Sequence, residues 1–225
     1  MIPENIQAVK ERIRRTAEKV GRNDREITLV CVTKTVGVPQ IEEALAAGVA
    51  HIGESYVQAA EIKYKAIEYR AKWHLIGHLQ TNKVKEAVRI FDLIHSVDSL
   101  KLAEEISKRA AGLPDPKKIL IEIKTSEEAA KYGVLPERAL PLIEEIAVLP
   151  NIKIVGLMTM APFTENPEDS RPYFQKLRKL AMLIRDKRIA NAGMEYLSMG
   201  MTQDFEVAIE EGANIIRIGH AIFGG

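Results

Sequence analysis

Short apolar runs rich in β-branched residues alternate with segments of helical period, and this alternation limits the possible folds more than any other feature. The runs lie near residues 27–33, 50–53, 73–77, 91–95, 118–124, 152–159, 195–199 and 214–218. Strands that alternate with helices favour right-handed crossovers and a parallel sheet. Eight such units in 225 residues fit a closed barrel better than an open doubly wound sheet. We therefore predict an α/β protein that folds as a single (β/α)8 TIM barrel.

The segment before the first run carries apolar residues at steps of three and four, as Ile6, Val9 and Ile13 show. This spacing predicts an amphipathic helix that stops near Gly21. Few residues follow the eighth run, so we expect this extra N-terminal helix to cover the seam where a final helix would sit. No linker or repeat divides the chain, which predicts one domain over residues 1–225.

The composition argues against several classes of function. Lys plus Arg total 32 against 31 Asp plus Glu, so the net charge of +1 offers no electrostatic footprint for nucleic acid. The single cysteine, Cys31, excludes internal disulfides and cysteine-rich metal sites. No apolar run reaches the roughly 18 residues of a membrane span, and the first residues lack a signal-peptide pattern. We expect a cytoplasmic protein without a membrane partner.

A lysine follows the first strand run directly, where Lys34 comes after Val32 and Thr33. In barrels of this type the active site lies at the carboxyl ends of the strands. An ammonium group at the exit of a buried strand is costly to desolvate, so it usually has a task there. A desolvated lysine near cations loses its proton readily and can form a Schiff base. For this residue taken alone, a solvated loop lysine is the alternative.

Small and hydroxyl residues follow the seventh and eighth runs, which is the usual phosphate position in such barrels. The segment from Ser198 to Thr202 contains Gly200, and Gly219 follows the eighth run. Glycines let backbone N–H groups approach an anion closely. We also expect Thr202 to cap a helix that begins near Gln203. A plain strand-to-helix turn is the alternative, but together with the lysine these residues suggest a phosphorylated aldehyde cofactor held as an imine.

Arg217 lies inside the eighth run, where burial demands a partner for its charge. It could pair with Glu54 or Glu122 as a structural salt bridge. If it instead faces a pyridine nitrogen, its permanent charge would keep that nitrogen unprotonated and make the ring a weak electron sink.

The histidines indicate chemistry less clearly. His74 and His78 are four residues apart, a spacing that suits a metal ion only on a helix, whereas this segment has the pattern of strand and loop. We predict packing or hydrogen-bonding roles for both, core positions for His51 and His95, and no metal site.

Taken together, the motifs resemble those of the pyridoxal phosphate homeostasis proteins, the YggS/PROSC type, which are related to the barrel domain of alanine racemases. The similarity covers nearly the whole chain. The matching segments are residues 32–35, 51–56, 73–83, 94–98, 156–162, 197–206 and 217–224. Any one of these segments is weak evidence, but all of them in this order are highly specific.

The resemblance implies a fold type III barrel with pyridoxal 5′-phosphate (PLP) bound to Lys34 and with Arg217 facing the ring nitrogen. The same analogy assigns the phosphate to Ser198, Gly200, Thr202 and Gly219. No residue receives a catalytic role. The chain departs from the usual family pattern at Ser55, Lys124 and Glu127.

The resemblance also implies a PLP carrier rather than a dedicated enzyme. Alanine racemases need a second acid/base residue from a C-terminal β-domain, and we expect no such domain after Gly225. Lys34 would hold PLP reversibly and release it to apo-enzymes. For Lys131, a solvated lysine is favoured over a transient acceptor of the aldehyde. A slow single-domain amino-acid racemase is the alternative, and a sugar-phosphate barrel enzyme without pyridoxal is a third reading. No exposed apolar helix face stands out, so we expect a monomer.

Overall fold

The computed structural model describes residues 1–126 and 132–224. Eight parallel strands pair in chain order, and the eighth pairs with the first to close a barrel. The strands are Thr28–Val32 (β1), His51–Glu54 (β2), Lys72–Leu75 (β3), Leu93–Val97 (β4), Lys117–Glu122 (β5), Ile152–Met158 (β6), Ala192–Ser198 (β7) and Ile215–Ile218 (β8). Each strand overlaps the apolar run that predicted it, and the (β/α)8 barrel is confirmed.

Helices surround the strands. Within the described ranges they are Ile2–Lys19 (α1), Val38–Ala46 (α2), Val57–Ile67 (α3), Val84–Ile90 (α4), Leu100–Ala110 (α5), Pro136–Ala147 (α6), Arg171–Asp186 (α7), Phe205–Glu210 (α8) and His220–Phe223 (α9). The sequence of α5 shows why such segments are helical. The Ser99 hydroxyl caps it by accepting the N–H of Leu102 at 3.4 Å, and Ala103, Ile106 and Ala110 line its buried face.

The apolar core has two parts, one inside the barrel and a larger one between the strands and the helices. The inner part consists of Val30, Leu93, Leu120, Val155, Met158 and Ile215. Strand residues two apart share a face. Therefore His95 points into the barrel with Leu93, and Arg217 points into it with Ile215. The barrel interior thus combines this apolar cluster with buried polar side chains, among them His95 and Arg217.

Helix α1 packs against α2, α8 and α9, so it covers the seam between β8 and β1 as predicted. Asn5 donates to the carbonyl of Ile222 at 2.9 Å, and Arg12 donates to Glu206 at 2.9 Å. The helix ends just before Gly21, whose φ of 68° suits glycine and confirms the predicted stop.

Two of the three departures from the family pattern can be placed. Ser55 is half-buried directly after β2, and Lys124 is half-buried after β5, where its backbone N–H donates to the carbonyl of Val134 at 2.8 Å. Glu127 and Lys131 lie outside the described residues. Among those that are described, no helix combines the length and apolarity needed to cross a bilayer, and no cluster of side chains suits a metal ion.

Candidate functional site

A cavity of about 470 Å³ lies at the carboxyl ends of β1, β7 and β8. Its lining brings together four residues that the sequence singled out, and these are Lys34, Thr202, Arg217 and Gly219. The loop after β6 contributes the opposite wall through residues 162–164, including the exposed ring of Phe163. The cavity therefore has an exposed rim at the lysine and a buried floor at the arginine.

Lys34 lies in the turn that follows β1, and its side chain is exposed at the rim of the cavity. The strand ends at Val32, and a hydrogen bond of 3.1 Å from the Val36 N–H to the Thr33 carbonyl closes the turn. The expectation of a desolvated ammonium at this exit is wrong, because the turn carries Lys34 past the end of the buried strand into solvent.

A buried ion pair that the sequence analysis missed supports this turn. The Nζ atom of Lys63 lies 2.6 Å from Oε1 of Glu54 and donates to the carbonyl of Thr33 at 2.7 Å. The Thr33 hydroxyl donates to the same carboxylate oxygen at 2.6 Å. The other oxygen, Oε2, is buried without a hydrogen-bond partner among the described residues. The available signal was the spacing of Lys63 from Ala60 and Ile67, which places it on the buried face of α3.

Arg217 forms the floor of the cavity and is 3 % exposed. Its Nη1 donates to Oγ of Ser198 at 2.7 Å, and its Nη2 donates to the carbonyl of Thr159 at 3.0 Å. The salt bridge considered with Glu54 is absent, because that carboxylate pairs with Lys63. Burial lowers the pKa of Arg217 to about 10, so the group stays cationic at neutral pH. The side chain is anchored by neutral oxygens and keeps further N–H donors for the cavity.

Around the cavity, several backbone N–H groups have no protein acceptor. Within residues 1–126 and 132–224, none is found for the N–H groups of Thr202, Gln203 and Gly219. Gly200 has a φ of 93°, and an added Cβ would lie only 2.5 Å from Cβ of Ala208. Glycine is therefore required for the backbone to take this path. Unpaired N–H groups beside close-packed glycines are the donor set that a phosphate group prefers.

The turn before α8 differs from the prediction. The helix begins at Phe205, and its N-cap is Asp204 rather than Thr202. Oδ1 of Asp204 accepts the N–H of Met201 at 2.6 Å, so the carboxylate closes the turn in place of the threonine hydroxyl. Burial raises the pKa of Asp204.

Ser198 lies behind the cavity wall. It is fully buried, and its Oγ accepts from Arg217 and lies 2.9 Å from Nδ1 of His95. These two side chains already hold its hydroxyl. Its part in phosphate binding therefore stays a prediction.

The histidines continue this contact through the barrel. Nε2 of His95 lies 2.9 Å from Nδ1 of His74, and Nε2 of His74 lies 2.9 Å from Nδ1 of His51. The hydrogen-bonding role predicted for His74 and the core position of His95 are confirmed, whereas His51 is only half-buried. His78 stacks on Tyr132 with ring centroids 3.7 Å apart, which confirms a packing role.

Comparison with known proteins agrees with the resemblance inferred from the motifs. The chain matches the family described as alanine racemase, N-terminal domain, over residues 5–225. A pyridoxal phosphate homeostasis protein of Aquifex aeolicus is 46% identical over 98% of this chain and 96% of the relative. Another, from Pseudomonas aeruginosa, is 39% identical over 99% and 95%. The chain belongs to the pyridoxal phosphate homeostasis protein family.

Solved structures extend this comparison. PipY of Synechococcus elongatus, determined with PLP bound, is 31% identical to this family member and covers 100% of both chains with a TM-score of 0.87. Alanine racemase of Clostridium difficile is 13% identical with a TM-score of 0.77, and the match covers 99% of this chain but 57% of the racemase. At that identity the racemase likeness shows the shared barrel alone.

Proposed function

We propose that this protein binds PLP reversibly at the carboxyl ends of β1, β7 and β8 and serves PLP homeostasis by holding the cofactor and passing it to apo-enzymes. One observation carries the proposal. A single cavity joins an exposed amine, a buried permanent cation and a set of unpaired backbone N–H groups. These groups complement the aldehyde, the pyridine nitrogen and the phosphate of PLP. The names of the relatives and the PLP-bound structure of PipY support the same reading.

Lys34 supplies the amine that holds the cofactor. The aldehyde of PLP forms a Schiff base with a lysine amine, in which a carbon–nitrogen double bond forms and the carbonyl oxygen leaves as water. Because the Lys34 side chain is exposed, both water and an acceptor enzyme can reach the bond. Exposure therefore favours exchange of the cofactor over its permanent retention.

Arg217 and the backbone around α8 and α9 hold the rest of the molecule. A cationic guanidinium disfavours a proton on the neighbouring ring nitrogen, so the ring remains a weak electron sink. The phosphate falls to the segment from Ser198 to Thr202 and to Gly219. The N–H groups of Thr202, Gln203 and Gly219 supply the donors, since they have no acceptor among the described residues. A cavity of about 470 Å³ has the size of an ordinary small-molecule site.

Borohydride trapping tests the lysine. Purified protein mixed with PLP is expected to gain the absorption of lysine-bound PLP, and borohydride should fix one label on the peptide that contains Lys34. Lys34→Ala should lose the label, whereas Lys179→Ala, which removes an exposed lysine of α7, should retain it. A reducible label that persists in Lys34→Ala would show that another amine holds the cofactor.

Transfer and turnover separate a carrier from a slow racemase. PLP-loaded protein mixed with the apo form of a PLP-dependent enzyme should restore its activity, and the carrier should lose its absorption band in step. Single-enantiomer amino acids incubated with the loaded protein should keep their optical purity. Sustained loss of optical purity that disappears in Lys34→Ala would favour the racemase. We also propose that the carrier is a monomer, which light scattering tests against the chain mass of 25.1 kDa.

The arginine has its own test. Arg217→Ala should weaken PLP retention and change the absorption of the bound cofactor more than it lowers thermal stability, because the guanidinium bonds only neutral oxygens in the described residues. A variant that unfolds, yet binds PLP normally in its folded fraction, would show that Arg217 is purely structural.

A further inference from the structure

A continuous line of polar side chains runs through the interior of the barrel. It starts at Arg217, passes through Ser198 and His95, and continues through His74 to His51. The histidine contacts are each 2.9 Å, and the arginine contact is 2.7 Å. We call the three histidines together with the serine the histidine relay. It connects strands on opposite sides of the barrel, from β8 and β7 to β4, β3 and β2.

Arg217 fixes the direction of the first hydrogen bond, because a guanidinium group only donates, and the directions of the others are assigned from it. The Ser198 hydroxyl accepts from the arginine, and its one other polar contact among the described residues is Nδ1 of His95, so we assign its proton to that nitrogen. A neutral His95 then carries its proton on Nε2 and donates to Nδ1 of His74. By the same logic His74 carries its proton on Nε2 and donates to Nδ1 of His51.

Burial keeps the rings neutral, as this order requires. It lowers the pKa of His74 to about 3, and it lowers the pKa values of His95 and His51 in the same direction. The neighbouring cation of Arg217 acts on His95 in that direction too. A neutral imidazole with one donor and one acceptor nitrogen can be fully satisfied inside such a line.

His51 ends the relay at the opposite end of the barrel from the cofactor cavity. It is the first residue of β2, is half-buried, and lines a second cavity of about 550 Å³ near the amino ends of the strands. Its Nε2 has no hydrogen-bond partner in the part of the chain that the structure describes. Because His51 is half-buried at this cavity, the proton on its Nε2 can be hydrogen-bonded by water and needs no protein acceptor.

We propose that the histidine relay is a positioning device that holds Arg217 in one orientation at the floor of the cavity. The inference rests on the proposed function, since it assigns the arginine to the PLP ring. Its physical basis is the Ser198 proton. With His95 as acceptor, the hydroxyl presents a lone pair to the guanidinium. Without that acceptor, the O–H has no other partner among the described residues. It is then free to rotate toward the guanidinium, and the lone pair that Nη1 uses is no longer held in place.

The first test uses protein without PLP. Nitrogen-15 NMR of labelled histidine side chains at pH 7 should show neutral rings with the proton on Nε2 for His51, His74 and His95. A proton on Nδ1 of His95, or a charged ring there, would overturn the relay. This measurement does not depend on cofactor binding, so it separates a failure of the relay from a failure of the proposed function.

The second test compares two substitutions of His95. In His95→Asn the amide oxygen takes the place of Nδ1 and can still accept the Ser198 proton, whereas in His95→Leu no acceptor remains. Both variants lose the contact with His74. We expect the PLP dissociation constant to rise about tenfold in His95→Leu, which is the effect of weakening one charged hydrogen bond, and to stay within about threefold of wild type in His95→Asn.

The absorption of bound PLP should shift in His95→Leu alone. Equal binding and equal spectra in the two variants, measured per folded molecule by circular dichroism, would mean that the histidines only fill the barrel, and the proposal would be wrong. If His95→Leu does not fold, Ser198→Ala replaces it, since that change removes the oxygen that Arg217 contacts and predicts the same tenfold weakening and spectral shift. Wild-type affinity and spectrum in Ser198→Ala would equally overturn the proposal.

Discussion

Two lysine side chains lie close to the carboxyl end of β1, and they differ in exposure and in hydrogen-bond partners. Lys34 is exposed on the turn after β1, at the rim of the cavity. Lys63 lies behind that turn with its side chain 11% exposed, bound to Glu54 and to the carbonyl of Thr33. The buried ammonium needs partners and fixes the turn. The exposed ammonium of Lys34 is solvated by water and does not need protein partners.

The cost of desolvating an ammonium group therefore applies to Lys63 and not to Lys34. A charge that is costly to bury marks a structural position when its partners are supplied by the fold, as they are for Lys63. An amine on an exposed turn, such as that of Lys34, contributes little to stability, and the buried cluster of Lys63, Glu54 and Thr33 supports the turn that carries it. The same division separates the buried relay from the exposed rim of the cavity. Substitutions of the buried polar residues should therefore lower stability, whereas substitutions at the exposed rim should change ligand binding.

The largest effect is expected at the buried lysine. Lys63→Met leaves Glu54 as a buried charge without its cation, so the free energy of unfolding should fall by about 3–5 kcal/mol. Denaturant titration measures this loss. Adding Glu54→Leu should recover most of it, because a well-packed apolar pair often replaces a buried ion pair at little cost. A loss below about 1 kcal/mol in the single variant would mean that the pair does not secure the turn.

The next effect concerns Gly200, which lies in the segment that we propose binds the phosphate. Gly200→Ala forces a φ of 93° on alanine and places its Cβ against Ala208. We therefore expect the free energy of unfolding to fall by about 1–3 kcal/mol and PLP binding to be lost. Gly112→Ala is the matched control, because Gly112 has a φ of 88° and open space around it. The difference between the two unfolding free energies isolates the steric clash. Equal losses would show that the path before α8 is not tightly packed.

Acid should lower the stability of the fold through the buried histidines. The pKa of His74 falls from 6.5 to about 3 on folding, so the unfolded chain binds its proton first as the pH decreases. Stability is full above pH 6.5 and is lost as the pH falls toward 3, by up to about 1.4 kcal/mol per pH unit for this histidine. Urea unfolding between pH 7 and pH 4 measures the slope, and His74→Gln should flatten it relative to wild type. An unchanged slope would contradict a neutral buried ring.

The smallest effect on stability is expected at the exposed lysine. Lys34→Ala should change the free energy of unfolding by less than about 0.5 kcal/mol, because the side chain is solvated. The same change should abolish trapping of PLP. A loss of several kcal/mol in thermal or chemical unfolding would show that Lys34 belongs with Lys63 as a structural residue.

Local pattern was sufficient to predict the barrel. Apolar runs of strand length, separated by helical stripes, determined the strand count and the closure by α1. The same reasoning placed Lys34, Arg217 and Gly219 at carboxyl ends of strands, where the cavity brings them together with Thr202. These residues indicated a phosphorylated aldehyde cofactor, and the family resemblance identified that cofactor as PLP.

The buried polar contacts could not be predicted in this way, because they depend on which side chains of different elements meet in the fold. The partner of Lys63 is on β2, and the partner of Ser198 is on β4, over a hundred residues away along the chain. One signal was available for the relay. His51, His74 and His95 recur once in each of three successive strands, so they share the interior. The cap at Asp204 was missed because hydroxyl and carboxylate are both good N-caps.

The packing of α1 has a consequence for the order of folding during synthesis. The apolar stripe of Ile6, Val9 and Ile13 is covered by α8 and α9, and Asn5 bonds Ile222. Because α8 begins at Phe205, the part of the docking surface that α8 and α9 supply is synthesised long after α1. The apolar stripe of α1 therefore stays partly uncovered in a growing chain until the barrel closes.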